Sequence, residues 1–278
     1  MHVATSELAR QLEQIAADYL VARYSGPGNP MGTEILHGEG FVATKVPFAP
    51  SNMIMNRAHG VEREAQLTEV LAFYAATNQP CGIEVLPCTP VSLTAALVRA
   101  GFRPGSYSAT SYAPIDQGLP ARASTDNRDS RSEPAASSIV DIRFVDTSEL
   151  GTFLDTMNTG FGTPEAMLAS MRRNQGFWSD VPNWHLLLAR VNGQPAGAAV
   201  LSIHGSAGYL AAATTLPPFR NRGVQQRLID ARIRRAREHG CTLITGQAAW
   251  GSTSHGNQQR AGLALCHVKT LWTNQAES

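Results

Sequence analysis

The pattern of apolar and polar positions in the C-terminal half predicts a meander of strands flanked by helices. Three apolar runs follow one another, and short glycine-containing turns separate them, which is typical of antiparallel strands. Helical periodicity before and after these runs predicts amphipathic helices. The expected strands are 139–145, 184–191, 194–204, 208–215, 242–248 and 263–272, and the expected helices are 149–160, 165–174, 223–239 and 254–261.

The N-terminal half predicts a shorter version of the same order. Helices are expected at 5–23, 64–77 and 92–100, and strands at 40–47, 52–59, 82–86 and 106–113. A shift of 161 residues places Arg99-Ala100-Gly101-Phe102 on Arg260-Ala261-Gly262-Leu263. The same shift aligns a helix and a strand of each half without gaps, 64–77 with 225–238 and 83–86 with 244–247. Three elements in register at one shift indicate a duplicated domain.

A segment without core-forming residues separates the two halves. Asp116–Ser138 holds one leucine and no aromatic or β-branched apolar residue, so it cannot bury enough surface to offset its ordering entropy. We therefore predict a flexible linker at 116–138 between domains at 1–115 and 139–278. A chain of 278 residues is long enough for two domains with their own cores. The element order predicts the α+β class, with a mixed sheet in each domain.

Composition and charge exclude several classes of function. The 23 lysine and arginine residues nearly balance the 22 aspartate and glutamate residues, whereas a general nucleic-acid binder needs a basic surplus. Aromatic residues make up only 7% of the chain, which disfavours a stacking platform for single strands. No apolar run approaches the ~20 residues of a membrane helix, and Met1–Leu20 carries charges at helical spacing, unlike a secretory signal. We expect no nucleic-acid partner and no membrane partner.

The cysteines predict neither a zinc site nor a disulfide framework. Cys81, Cys88, Cys241 and Cys266 include no C-x-x-C pair, and the histidines do not cluster near them at ligand spacing. We interpret them as thiols of a protein in the reducing cytoplasm, and we expect no metal.

The clearest chemistry lies between the third meander strand and the following helix. Two prolines come after Thr215, and a short basic turn, Arg220-Asn221-Arg222-Gly223-Val224-Gln225, then opens the helix. Free N–H groups at a helix N-terminus attract anions together with the helix dipole. Gly223 permits a positive φ and a close approach of the ligand, and the two arginines suit phosphate. We expect this turn to bind a pyrophosphate.

The basic turn resembles motif A of the GNAT superfamily of N-acetyltransferases, whose signature is Gln/Arg-x-x-Gly-x-Gly/Ala between the fourth strand and the third helix. Arg220 and Gly223 match this signature, and Gln225 stands where glycine or alanine is usual. The Gln225 side chain either crowds the pyrophosphate or donates a hydrogen bond to it. The surrounding elements extend the resemblance over about Ile139–Trp272. The resemblance implies two GNAT-like domains in tandem, each a mostly antiparallel mixed sheet flanked by helices.

The same resemblance implies that acetyl-CoA binds here as the acyl donor. The backbone of Ala213-Thr214-Thr215 would bond the pantetheine arm and the thioester, and the pyrophosphate would lie over Asn221 to Gln226. In the later helix, Asn257 matches the asparagine that contacts the pantetheine in many family members. The alternative is a capped helix with a solvated basic face, formed by Arg222, Arg227, Arg232, Arg234, Arg235 and Arg237.

The catalytic acid and base stay open at this point. Family members often use a tyrosine of the last helix as general acid, but no tyrosine follows Tyr209, and Gln258 occupies the usual register. The candidate substitutes are Ser254, His255 and Cys266. The strand 208–215 carries no carboxylate to serve as general base. The candidates are His204, Tyr209, Glu149, Asp155 and Asp180, each of which is otherwise a surface charge or a satisfied polar group.

The N-terminal copy lacks the features of a donor site. The 161-residue shift places the basic turn on His59-Gly60-Val61-Glu62-Arg63-Glu64. The carboxylates of Glu62 and Glu64 would repel a phosphate there. The resemblance therefore implies one active domain and one degenerate domain.

We predict an enzyme that moves an acetyl group from acetyl-CoA to a primary amine of a small molecule by direct attack. One alternative is the same fold with another acyl-CoA or a hydroxyl acceptor. Another is a non-catalytic CoA-binding regulatory module, which Gln225 and the missing tyrosine favour. We expect a cytoplasmic monomer or homodimer.

Overall fold

A computed structural model describes residues 4–29, 31–47, 55–77, 79–115, 119 and 140–274. The helices in these residues are α1 (Ser6–Tyr24), α2 (Glu64–Tyr74), α3 (Val91–Arg99), α4 (Leu150–Gly160), α5 (Glu165–Gln175), α6 (Val224–Glu238) and α7 (Thr253–Arg260). The strands are β1 (Glu34–Gly38), β2 (Phe41–Lys45), β3 (Asn56–His59), β4 (Cys81–Val85), β5 (Arg103–Pro114), β6 (Val140–Phe144), β7 (Trp184–Val191), β8 (Gln194–His204), β9 (Ala207–Thr215), β10 (Leu243–Ala249) and β11 (Ala264–Thr273). Short 3-10 helices lie at Gly176–Asp180 and Pro217–Phe219. Apart from Leu119, the predicted linker 116–138 lies outside the described residues.

The chain packs into two compact units whose segments alternate along the sequence. Unit 1 consists of 1–111, 247–255 and 265–278, and unit 2 consists of 112–246 and 256–264. Nearly all of β11 therefore belongs to unit 1, although the sequence predicts it as the closing strand of the C-terminal domain. The reason is strand pairing, since β11 runs antiparallel to β4. The domain boundaries at 1–115 and 139–278 stay a prediction, because packing units need not follow the chain order of a duplication.

Unit 1 is built on a mixed sheet with the strand order β1-β2-β3-β4-β11-β5. β1, β2 and β3 are antiparallel neighbours, whereas β3 and β4 run parallel. Buried side chains of α2 and α3, among them Leu67 and Leu97, share one core with Ile83 of β4. Thr5 precedes α1, and its Oγ1 accepts a hydrogen bond from the Leu8 N–H at 3.1 Å, which caps the helix.

Unit 2 repeats this arrangement with the strand order β10-β9-β8-β7-β6. β6 to β9 are antiparallel, which confirms the predicted meander, and β9 and β10 run parallel. Val224 and Leu228 of α6 pack in one core with Leu201 and Ile244 of the sheet. This packing places the N-terminus of α6 next to the C-terminal end of β9.

The duplication is visible in the way corresponding helices end. After α3, Gly101 has a φ of 80°, and the Phe102 N–H donates to Leu97 O at 2.9 Å. After α7, Gly262 has a φ of 94°, and the Leu263 N–H donates to Gln258 O at 3.1 Å. Both helices thus stop at a left-handed glycine that closes the last turn and turns the chain into a strand. The predicted α+β class with mixed sheets is confirmed.

None of the helices in the described residues combines the length and apolar character that a membrane crossing requires. Within the same residues, no group of three or more histidine, cysteine, aspartate or glutamate side chains is arranged to hold a metal ion. All four cysteines are free thiols.

Candidate functional site

The N-terminus of α6 is open to an anionic ligand. Gly223 precedes the helix with a φ of 74°, and Asn221 also has a positive φ, of 62°. Among the described residues, no side chain forms a hydrogen bond that caps the helix, and its first turn carries no acidic residue. No described side chain therefore neutralises the positive end of this 15-residue helix. Positive φ angles at two positions so close together, Asn221 and Gly223, favour a concave nest of backbone N–H groups that suits an anion.

The side chains of the basic turn leave the approach to α6 clear and positively charged. Residues 220–223 are exposed, and a Cβ at Gly223 would meet nothing within 4 Å. The Arg220 Nε donates a long hydrogen bond to Thr215 O at 3.4 Å, which ties the turn to the end of β9. The N-terminus of α6 therefore combines open space, positively charged arginine side chains and backbone N–H groups.

The first turn of α6 is held in place by the burial and hydrogen bonding of its own side chains. Val224 is fully buried in the core of unit 2. The Gln226 Nε2 donates to Asp230 Oδ1 at 3.0 Å, and Gln225 is half-buried. The open N-terminus of α6 is therefore anchored in the core of unit 2, and this anchoring preorganises it for a ligand.

β9 leaves its parallel neighbour before it reaches the basic turn. The ladder between β9 and β10 ends with Leu210 opposite Gly246. β9 continues to Thr215 and stays paired with β8, where Thr215 lies opposite Gly197. In the described residues, 211–215 consequently have one edge that no β10 ladder occupies. Thr215 Oγ1 is buried there and has no hydrogen-bond partner among these residues.

A buried arginine holds a bulge where β9 departs from β10. The register between β8 and β9 shifts around Val200. The Arg232 guanidinium donates through one nitrogen to Val200 O and Ala211 O, both at 3.3 Å, and through Nε to Leu228 O at 3.1 Å. Only 1% of Arg232 is exposed. The prediction that Arg232 belongs to the solvated basic face of α6 is therefore wrong. Arg232 lies one helical turn after Leu228, on the side of α6 that faces the core.

Two glycines allow close packing around Thr214. A Cβ at Gly197 would lie 2.7 Å from Thr214 O, and a Cβ at Gly160 would overlap the Thr214 side chain. Gly160 is the last residue of α4, so this helix ends directly against β9. The segment 213–215, predicted to hold the thioester, is thus bordered by α4 on one side.

A comparison with known protein families finds a match for the region that contains the end of β9 and the basic turn. Residues 153–256 match the acetyltransferase (GNAT) family, from α4 through the basic turn to α7. This is a GNAT acetyltransferase domain. For this region, the predicted GNAT family and the predicted acetyltransferase are confirmed. A comparison with curated proteins gives no match.

Solved structures share the GNAT fold over the whole chain at low sequence identity. A GCN5-related N-acetyltransferase from Kribbella flavida is 15% identical with a TM-score of 0.65, and 97% of this chain and 96% of that chain are covered. A tandem GNAT protein from the clavulanic acid biosynthesis pathway is 12% identical with a TM-score of 0.61, and 100% and 98% are covered. A GCN5-related N-acetyltransferase from Sphaerobacter thermophilus is 15% identical with a TM-score of 0.59, and 98% and 91% are covered. The predicted fold of two GNAT-like domains is confirmed.

The GNAT domain does not bring His204 close to 213–215, the segment predicted to bond the thioester. Ala199 of β8 lies opposite Ala213, and His204 is five residues further along the strand, or roughly 17 Å at the usual rise per residue. Its Nε2 is 2.8 Å from the Ser202 Oγ at that far end. The strand register therefore separates His204 from 213–215.

The other candidates of the GNAT domain lie in or near α7. Ser254 is exposed, whereas His255 is buried against Trp250 with the ring centroids 5.1 Å apart. His255 Nε2 has no hydrogen-bond partner among the described residues. Ser254 and His255 belong to unit 1, and Asn257, whose Oδ1 accepts from Arg260, belongs to unit 2. Their roles stay predictions.

Two of the candidate carboxylates are held in ion pairs. Glu149 accepts from Arg190 at 2.7 Å, and Asp155 accepts from two nitrogens of Arg172. These contacts match the alternative interpretation of satisfied polar groups. Burial raises the pKa of the Cys266 thiol, so this group stays protonated at neutral pH.

Proposed function

We propose that the GNAT domain binds acetyl-CoA and transfers the acetyl group to a primary amine of a small molecule by direct attack. The observation that carries this proposal is the uncapped N-terminus of α6, with a left-handed Gly223 between exposed arginines and a buried helix base. A pyrophosphate is the anion that such an arrangement suits. The open space at Gly223 lets its oxygens reach the backbone N–H groups.

The residues proposed to hold the coenzyme lie in the basic turn with the start of α6, at the end of β9 and in α7. The pyrophosphate would be bound by the turn and first helical residues Arg220, Asn221, Arg222, Gly223, Val224, Gln225 and Gln226. The pantetheine arm would bond the backbone of Ala213, Thr214 and Thr215 along the edge that no β10 ladder occupies in the described residues, with Asn257 as a further contact. Thr215 Oγ1, buried and without a partner in the described residues, supports a polar ligand at this edge.

The chain's own groups would assist acyl transfer in two ways. Acetyl-CoA supplies a thioester carbonyl carbon, which the free amine attacks as the C–N bond forms and the C–S bond breaks. Backbone N–H groups along 211–215 would stabilise the negative charge that develops on the carbonyl oxygen. The amine loses one proton and the departing thiolate gains one, and Ser254, His255 and Cys266 remain the candidate donors. We place the reaction in the cytoplasm and propose a monomer or homodimer.

The proposal predicts that coenzyme binding depends on the pyrophosphate. We expect calorimetric titration to show binding of acetyl-CoA and at least roughly tenfold weaker binding of S-acetyl-pantetheine, which lacks the pyrophosphate together with the adenosine phosphate attached to it, and so loses their charge-assisted hydrogen bonds. We further expect release of CoA thiol when both acetyl-CoA and a member of a small primary-amine panel are present. Reactions without amine and without protein provide the controls.

The same measurements separate the alternative functions. Acetyl-CoA binding without thiol release across amine and alcohol panels would favour a regulatory module. Release of CoA thiol with butyryl-CoA in place of acetyl-CoA would favour another acyl donor. Release of CoA thiol with an alcohol in place of the amine would favour a hydroxyl acceptor. If neither binding nor release is observed, the coenzyme assignment fails.

A further inference from the structure

Two exposed apolar side chains flank the turn that joins α4 to α5 in unit 2. Phe161 directly follows α4 and is 56% exposed, and Met167 in the first turn of α5 is 36% exposed. Single exposed apolar side chains are common, but a group of them beside a candidate site marks a surface that binds an apolar partner. The candidate site here is 213–215, because Gly160, the residue before Phe161, ends α4 against the Thr214 side chain.

The end of α4 is a hydrogen-bonded turn that fixes the backbone of Phe161. Gly162 has a φ of 80°, and its N–H donates to Thr159 O at 2.9 Å. The N–H of Thr163 donates to Asn158 O at 3.0 Å. Together these two bonds around a left-handed glycine form a Schellman motif. The turn therefore holds Phe161 in one backbone position next to the end of β9.

The helix α5 leaves its larger apolar side chains at or near the surface. Every residue of α5 belongs to the described part of the chain, and Gln175 is the one buried residue among them. Besides Met167, which is exposed, Leu168 and Met171 are only half-buried. The stretch 161–168 contains a single charged residue, Glu165. This surface therefore suits an apolar group better than a polycation.

The two faces of the sheet at 213–215 border different helices. Ala213 packs against the core that contains Val224 of α6, whereas the Thr214 side chain faces Gly160 of α4. Successive side chains of a strand point to opposite faces of the sheet, so α6 and α4 lie on opposite sides of β9. The coenzyme is proposed to reach this segment from the start of α6. The α4 side is therefore the one that remains for the acceptor.

We propose that Phe161, together with Met167, binds an apolar substituent of the acceptor. The acceptor is then a primary amine attached to an aromatic or aliphatic group, which packs on the Phe161 ring while the amino group reaches the thioester. Such packing removes apolar surface from water and, for an aromatic group, adds ring contacts. This inference rests on the proposed function, since it names the class of acceptor for the same reaction.

The test compares two primary amines that share an aminoethyl group, with the full chain in the presence of CoA. 2-Phenylethylamine carries a phenyl ring on this group, and ethanolamine carries a hydroxyl. By calorimetric titration we expect a Kd for 2-phenylethylamine at least roughly tenfold lower than that for ethanolamine. Equal Kd values, or tighter binding of ethanolamine, would overturn the inference.

Substitutions of two exposed phenylalanines assign the effect to its position. Phe161→Ser removes the ring, and we expect it to raise the Kd for 2-phenylethylamine at least roughly fivefold and to leave that for ethanolamine within about twofold. Phe161→Leu keeps an apolar side chain, and we expect its Kd to stay within about threefold of the original. Phe144→Ser is the matched control, because Phe144 is 48% exposed and its strand β6 lies three strands from β9. Equal effects of Phe161→Ser and Phe144→Ser would contradict the assignment.

Release of CoA thiol from acetyl-CoA separates this inference from the proposed function. Release with ethanolamine as readily as with 2-phenylethylamine would refute the acceptor class and leave the transferase function intact. Binding of 2-phenylethylamine that depends on Phe161, without release from any amine, would support the apolar amine surface and refute the transferase function. If Phe161→Ser instead changes the molecular mass in sedimentation and leaves amine binding unchanged, Phe161 contacts a second copy of the chain and the inference is wrong.

Discussion

Gly223→Asp is expected to weaken acetyl-CoA binding by about 100-fold or more. The substitution puts a carboxylate where the pyrophosphate is proposed to lie, and like charges in contact cost several kcal/mol, at ~1.4 kcal/mol for each factor of ten. It also replaces a glycine whose φ is 74°, a conformation that disfavours other residues. Calorimetric titration with acetyl-CoA measures the effect.

Gly240→Asp provides the matched control at the other end of α6. Gly240 has a φ of 73°, and its Cβ position is also free of neighbours within 4 Å. It terminates the helix roughly 25 Å from Gly223 at the usual rise per residue. We expect its Kd to stay within about threefold of the unchanged protein, a difference below 1 kcal/mol. Equal Kd values for both variants would refute the coenzyme site at Gly223.

Arg232→Met is expected to lower the free energy of unfolding by about 2–4 kcal/mol. The side chain is of similar length, but it leaves the buried carbonyls of Val200, Ala211 and Leu228 without their charged donor. Urea unfolding followed by circular dichroism measures the change. A loss of this size indicates that the bulge of β9 depends on the guanidinium.

Arg234→Met tests whether the effect belongs to the bulge or to helix charge. Arg234 is exposed two residues further along α6, and surface substitutions of this kind usually stay within about 0.5 kcal/mol. Similar losses for both variants would mean that the basic character of the helix, and not the contacts of Arg232, stabilises unit 2.

Local signals were sufficient to predict most of the fold. The meander, the open helix start at Gly223 and the helix stop at Gly240 each depend on neighbouring residues, because turns and caps are decided within a few positions. The repeated Arg-Ala-Gly-apolar segments correctly indicated two helices that end at Gly101 and Gly262. β1 was not predicted, since its five residues show no strong apolar pattern.

Arg232 shows a signal that was present and missed. Val224, Leu228, Arg232 and Ala236 recur at four-residue intervals and are all buried. This spacing is typical of the core-facing side of a helix. Because the neighbouring arginines are exposed, Arg232 was grouped with them in the sequence. The carbonyls at the bulge explain why a buried guanidinium is stable there.

The sequence by itself determined the class of the fold, the duplication, and the helix end at which an anion is expected, because each follows from short-range periodicity, turn residues and charge. Tertiary structure decided that β11 pairs with β4, that Arg232 is buried at the bulge, and that His59, Glu13 and Lys269 share one buried cluster. Glu13 and Lys269 are 256 positions apart. Such contacts form when strands pair and side chains pack across the chain, and neither step leaves a pattern among neighbouring residues.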